Sequence, residues 1–219
     1  MTDFATARRN MVDGQLRPNK VTNLELLAAI GELPRERFLP DGLKAVAYAD
    51  DNVPLGGSRF LMEPMVLARL VQALQPSPDD RALVIAAGRG YGAALLGRMV
   101  KSVVAVESDS ALASAASQAL SALGLANVTL HVGKMEDGAA ASAPYDVVLI
   151  EGAVRQVPQT IIDQIAEGGR LATVLASESG GLGVAQLIVK DGGVASGRPL
   201  LDAGTPALPG FAATPRFTF

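Results

Sequence analysis

Residues 83–93, Leu-Val-Ile-Ala-Ala-Gly-Arg-Gly-Tyr-Gly-Ala, carry the clearest chemical signal in this chain. An apolar stretch runs straight into closely spaced glycines, and Gly88-Arg89-Gly90-Tyr91-Gly92-Ala93 satisfies the pattern G-x-G-x-x-G/A. Glycines at this spacing let backbone N–H groups approach a ligand closely, at the positive end of the helix that follows. Glu107 lies behind a second apolar stretch, Val103–Val106, 19 residues after Gly88. An acidic side chain at that remove can take the hydroxyls of a nucleotide ribose. The chemistry these residues suit is the binding of a nucleotide-type cofactor. By itself the pattern does not separate a nicotinamide-dependent oxidoreductase from a methyltransferase, because both place a ribose near such an acid.

Composition removes other classes of chemistry. The 219 residues include no Cys, hence no disulfide, no thiolate nucleophile and no Cys-based zinc site. The single His, His131, sits in an alternating strand pattern and reads as structural, which leaves a Ser-His-Asp triad without its base. No metal site is expected. The net charge is −3, with no run of Lys or Arg, against a protein that grips nucleic acid. Residues 1–10 are polar, and no apolar run reaches the ~18 residues that span a bilayer. The expectation is a cytoplasmic, globular protein with no membrane partner.

The elements that must position the glycine turn alternate from Arg81 onward. Apolar strands are predicted at Ala82–Ala86, Ser102–Val106, Val128–Val132, Tyr145–Ile150 and Arg170–Leu175. Helices are predicted between them at Tyr91–Val100, Ser110–Leu123 and Pro158–Ala166, while Gly138–Ala143 is too short to assign. Near-continuous Val/Ile/Leu strands alternating with helices indicate a parallel sheet covered on both faces. Two further strands, Val184–Val189 and Ala195–Leu201, flank Asp191-Gly192-Gly193, a hairpin-type turn. Before the sheet, helical spacing covers Ala5–Leu16 and Asn23–Gly31, and Pro64 opens a helix to about Leu74. Pro34, Pro40 and Pro54 break the chain between them. The boundaries read as a helical and looped extension over 1–78, a core with its hairpin over 79–203, and a Pro-rich tail over 204–219 whose Phe217 and Phe219 could dock on the body.

Flanking blocks resolve the ambiguity of the glycine pattern. Met11-Val12-Asp13-Gly14-Gln15-Leu16, Pro34-Arg35-Glu36-Arg37-Phe38-Leu39-Pro40 and Ala47-Tyr48-Ala49-Asp50 resemble the N-terminal signature of the protein-L-isoaspartate O-methyltransferases. Glu151-Gly152-Ala153, Val157-Pro158 and Glu167-Gly168-Gly169-Arg170-Leu171 resemble the family's later blocks. The resemblance covers about residues 10–175, in the family's order. It implies an α/β, Rossmann-like S-adenosylmethionine-dependent methyltransferase fold. The implied sheet is mostly parallel and central, with helices on both faces and a helical N-terminal extension. The implied activity is methylation of the free carboxylate of isoaspartyl residues in damaged proteins, so that the partner is a protein or peptide carrying isoaspartate. The implied cofactor contacts fall on Ala86, Gly88, Gly90, Tyr91, Glu107, Lys134 and Met135.

The sequence departs from the family pattern in three places. Val84 stands where the family has an acidic residue that helps hold the cofactor's amino-acid end, and Ala86 replaces the first glycine of the turn. Loss of that carboxylate should cost roughly 1–3 kcal/mol of binding as a charge-assisted hydrogen bond. Met62 occupies the place of a Ser or Thr whose hydroxyl positions the substrate carboxylate, with Arg59 nearby as a compensating cation. Lys134 presents donors where related proteins have an Asp near the adenine amino group, with Glu136 or Asp137 as substitutes if the loop shifts. Together these changes predict weakened or altered methyl transfer. The alternative is a catalytically silent relative that serves as a nucleotide- or S-adenosylmethionine-binding or regulatory module.

Overall fold

Five apolar strands, each returned by a crossover to the same direction, form the frame of the computed structural model, which describes residues 3–211. They are β3 (Arg81–Ile85), β4 (Ser102–Glu107), β5 (Val128–Val132), β6 (Tyr145–Val154) and β7 (Ile165–Leu175). A short antiparallel ribbon precedes them, β1 (Val53–Gly56) with β2 (Arg59–Leu61). The hairpin β8 (Gly183–Asp191) and β9 (Val194–Ala203) completes a seven-stranded sheet in the order β5-β4-β3-β6-β7-β8-β9. β3 to β7 run parallel, and β8 is antiparallel to both β7 and β9. Among the described residues, the expected Rossmann-like arrangement is present.

Helices α1 (Phe4–Met11), α2 (Leu24–Glu32), α3 (Pro64–Leu74), α4 (Tyr91–Gly97), α5 (Ser110–Ala122) and α6 (Gln159–Ile162) surround the sheet. Their starts follow from local chemistry. The Asn23 side chain accepts the Leu26 N–H at 2.9 Å, and Asp109 accepts those of Ala111 and Leu112. Pro64 opens α3, where its missing N–H costs nothing. Arg170 closes the other end of α3, donating to the carbonyls of Leu74 at 2.8 Å and Gln75 at 2.9 Å.

The two sheet faces bury separate clusters. Val84 and Leu149 face a large core that joins β3 and β6 to α4 and to Met11, Leu26 and Phe38 of the N-terminal segments. Leu83, Ile85, Val148 and Ile150 face a smaller one closed by Ile161, Leu208 and Phe211. The period-two alternation of each strand separates the two sets.

Several boundaries differ from the sequence expectation. The helix predicted over Ala5–Leu16 passes at Met11 into a π-helical turn, Val12–Leu16. This wider turn keeps Met11, Val12 and Leu16 all buried. The helix predicted over Pro158–Ala166 is only α6, because Ile165 already pairs with Tyr145 as the first residue of β7. The residues around Gly168 (φ +75°) then bulge out before pairing resumes at Arg170. The helix predicted to Val100 ends at Gly97, and the unassigned Gly138–Ala143 holds a 3₁₀ turn over Ala140–Ser142. Gly192 (φ +57°) and Gly193 (φ +75°) form the expected tight turn between β8 and β9.

Beyond β9 the chain returns to the strand ends. Ala153 donates to the Pro206 carbonyl at 3.1 Å, and Leu208 donates to that of Ala153 at 2.7 Å. The Asn52 side chain, at the foot of the β1–β2 ribbon, donates to the Gly204 carbonyl at 2.8 Å and accepts the Glu63 N–H at 3.1 Å. Phe217 and Phe219 lie outside the described residues. No helix among the described residues is long and apolar enough to cross a membrane. Nor do they contain a group of three or more His, Asp or Glu side chains placed to hold a metal ion.

Candidate active site

The chain builds the sheet outward from β3 through β4 to β5, then returns to β6 on the other side of β3. This reversal opens a crevice beyond the carboxyl ends of β3 and β6, the place where such sheets bind ligands. β3 ends with Ile85 paired to Ile150, and the next residues turn sharply. Ala86 (φ +60°), Gly88 (φ +55°) and Gly90 (φ +93°) all adopt left-handed backbone, and Gly90 donates to the Ala87 carbonyl at 2.7 Å before α4 begins. The two glycines take this conformation freely, whereas Ala86 carries its Cβ there at a cost of about 1 kcal/mol.

The turn and the predicted acid do meet. Glu107, at the end of β4, is fully buried and accepts the N–H groups of Gly88 at 2.9 Å, Ser108 at 2.7 Å and Asp109 at 3.0 Å. The carboxylate has a further partner that sequence reading placed elsewhere. Arg59 Nε lies 3.2 and 3.3 Å from its two oxygens, while Nη2 donates to Ser108 Oγ at 2.7 Å and contacts Met135 Sδ at 2.9 Å. Arg59 is therefore paired with Glu107, the acid that sequence reading gave to a ribose, where that reading had set it beside Met62 as a compensating cation. The ribbon that carries Arg59 lies across the glycine turn. A β-carbon on Gly88 would come 2.9 Å from Leu55 Cδ1, and one on Gly57 would come 3.2 Å from Asp109 Oδ2.

The other residues singled out in the sequence lie in several settings. Met62 is buried, and its carbonyl accepts Arg35 Nη2 at 2.5 Å; its side chain offers no donor. The Tyr91 ring packs edge-on against Phe38, centroids 5.4 Å apart, under the Arg35 guanidinium at 4.9 Å. It thus braces the N-terminal segments. Lys134 is exposed, and Met135 is buried against Arg59. Val84 sits enclosed between Ala105 and Leu149. His131 is exposed on the edge strand β5.

Sequence reading gave no role to Glu151, which the fold buries one residue past the pairing of Ile150 with Ile85, beneath α4. It follows Ile150 on β6 and is only 5% exposed, and its Oε1 has no hydrogen-bond partner. A β-carbon on Gly92, in the first turn of α4, would sit 2.4 Å from that atom, so the carboxyl group lies directly beneath the helix start. Burial pushes the Glu151 carboxyl up to about 8; Arg35 opposes this and Glu107 adds to it. The available signal was an acid inside the otherwise apolar run Val147–Val154.

The family model for protein-L-isoaspartate(D-aspartate) O-methyltransferase matches residues 7–198. The chain belongs to this family. The protein-L-isoaspartate O-methyltransferase of Roseiflexus sp. (strain RS-1) is 38% identical over 169 residues, covering 77% of each chain. That of Methylorubrum populi is 39% identical over 180 residues, covering 82% of this chain and 84% of its own. Among solved structures, a protein-L-isoaspartate O-methyltransferase superimposes with a TM-score of 0.81 at 25% identity over 93% of this chain, which spans 66% of that one. A Plasmodium falciparum protein described as a beta-aspartate methyltransferase, in complex with S-adenosyl-L-homocysteine, gives 0.75 at 16% identity over 95% of this chain and 99% of its own. That last likeness concerns the fold alone.

Proposed function

We propose that this member of the isoaspartyl methyltransferase family transfers a methyl group from S-adenosylmethionine to the carboxylate of isoaspartyl residues in damaged proteins or peptides. The observation that carries the reading is the contact of Gly88 N–H with the buried Glu107 carboxylate, beside the crevice where the strand order reverses. The residues present fit the cofactor in kind. A glycine turn admits close backbone approach, Glu107 is an acceptor for ribose hydroxyls, and Glu151 has a buried oxygen without a hydrogen-bond partner. Arg59 has to withdraw from Glu107 for the ribose to be held. We place the protein in the cytoplasm within this reading, in keeping with a chain that has no cysteine.

The chemistry asks little acid–base help of the protein. When bound, the cofactor supplies a methyl carbon on a sulfonium, already a good leaving group. The substrate carboxylate is ionised at neutral pH and attacks as it stands, so the protein's contribution is alignment and exclusion of water. The β1–β2 ribbon, with Leu55 against the glycine turn, is placed to cover the crevice. Met62 lines the start of α3 without a hydroxyl, which predicts a slow enzyme. The test is incubation with labelled S-adenosylmethionine and an isoaspartyl peptide. Base-labile methyl ester is expected, and its absence at high protein concentration would sink the proposal.

A second reading, a catalytically silent relative that only binds the nucleoside, draws on the Arg59–Glu107 pair and on Met62. It predicts S-adenosylhomocysteine binding by calorimetry together with no ester, and detectable ester in Met62→Ser. Ester formation by the unaltered protein excludes it.

A further inference from the structure

We propose that Glu151 is the group that receives the ammonium of the cofactor's amino-acid end, and that it gives up its own proton when the cofactor binds. This rests on the methyltransferase reading above. S-adenosylmethionine and its demethylated product carry a positive charge at that end, and a buried cation needs an anion beside it. Two carboxylates near the glycine turn and the ribbon across it are already engaged. Glu107 is saturated by Gly88, Ser108, Asp109 and Arg59. Asp109 caps α5 through the N–H groups of Ala111 and Leu112. Glu151 has a buried oxygen with no donor.

Its position suits the task. Val84 pairs with Leu149, and strand alternation puts Glu151 on the same sheet face, one step further toward the crevice. The first turn of α4 lies over it, near enough that Gly92 has no room for a side chain. β6 thus supplies a carboxyl group next to where β3, with Val84, supplies none. The charged and titratable groups facing it are Arg35 from the N-terminal segments, Tyr91 from α4 and Glu107 from β4. Held up to about 8, the group is largely neutral at pH 7 while it has no partner. An arriving ammonium favours the carboxylate, so binding and deprotonation are coupled.

Calorimetric titration of S-adenosylhomocysteine at pH 7, in phosphate and in Tris, reads the proton directly through the heats of buffer ionisation. The unaltered protein is expected to release roughly one proton per ligand, given a group that titrates near 8. Glu151→Gln, which keeps the shape, should release none and bind about tenfold more weakly, as for one lost charge-assisted hydrogen bond. 5′-Methylthioadenosine, which lacks the amino-acid end, should release no proton from either protein. Binding without proton release, or identical release by Glu151→Gln, overturns the inference and leaves the methyltransferase reading intact. If neither protein binds either ligand, the reading fails and takes this inference with it. The buffer comparison on the unaltered protein is independent of how any variant folds.

Discussion

Arg59 Nε lies 3.2 and 3.3 Å from the two oxygens of Glu107, so a guanidinium of the chain itself holds the acid that the proposed function gives to the ribose. On that proposal two groups compete for one carboxylate, and the apparent affinity for the nucleoside is reduced by the fraction of molecules in which Arg59 holds it.

Arg59→Gln should therefore bind S-adenosylhomocysteine about tenfold more tightly, a change calorimetry resolves. The same substitution leaves Glu107 buried without its cation, so ligand-free stability to urea should fall by about 3 kcal/mol. Weaker binding by this variant would instead make Arg59 a ligand-holding group.

Glu151 makes stability depend on pH. Its folded value of about 8 lies above the ordinary 4.5, so the native state binds the proton more tightly than the unfolded chain does. The contribution is fully present below about 4.5, declines as pH rises through 8, and is flat above. The unfolding free energy from urea titrations should fall between pH 5 and pH 9 by an amount on the order of a few kcal/mol, and Glu151→Gln should remove most of that slope. A slope unchanged by the substitution would assign it to other groups.

Gly92→Ala drives a methyl group into the Glu151 carboxyl, 2.4 Å from Oε1. Thermal unfolding should reveal a loss of roughly 1–3 kcal/mol, as for an overpacked core. Adding Glu151→Ala should recover part of it, since the two sites are in contact. Strict additivity of the two losses would mean that the carboxyl group moves aside freely.

Met62→Ser restores a hydroxyl at the start of α3, within a fully enclosed site. Methyl-ester formation per enzyme should rise, while stability drops by about 2 kcal/mol for the lost apolar side chain. No gain in turnover from a folded variant would show that Met62 is not what limits the reaction.

The sheet was legible because buried parallel strands read as continuous apolar runs, and the glycine turn with Glu107 was legible because their spacing follows from one strand–helix–strand unit. The pairing of Arg59 was not legible. It depends on the β1–β2 ribbon folding back over a turn far along the chain, and no local periodicity encodes that. Glu151 was visible as a charge among apolar residues, but its perturbed acidity arises from the neighbours that bury it. The early start of β7 was hidden by the bulge around Gly168, which interrupts the apolar pattern between Ile165 and Arg170. The fate of Tyr91 was equally hidden, because its partners Phe38 and Arg35 come from the extension.

The bond from Asn52 to the Gly204 carbonyl joins residues 152 positions apart, and it secures the foot of the ribbon that lies over the glycine turn. A chain emerging from the ribosome lays down the turn, Glu107 and Glu151 long before Gly204 exists. The Asn52 tether can form only once Gly204 has been made, so the foot of the ribbon is fastened after the turn beneath it already exists.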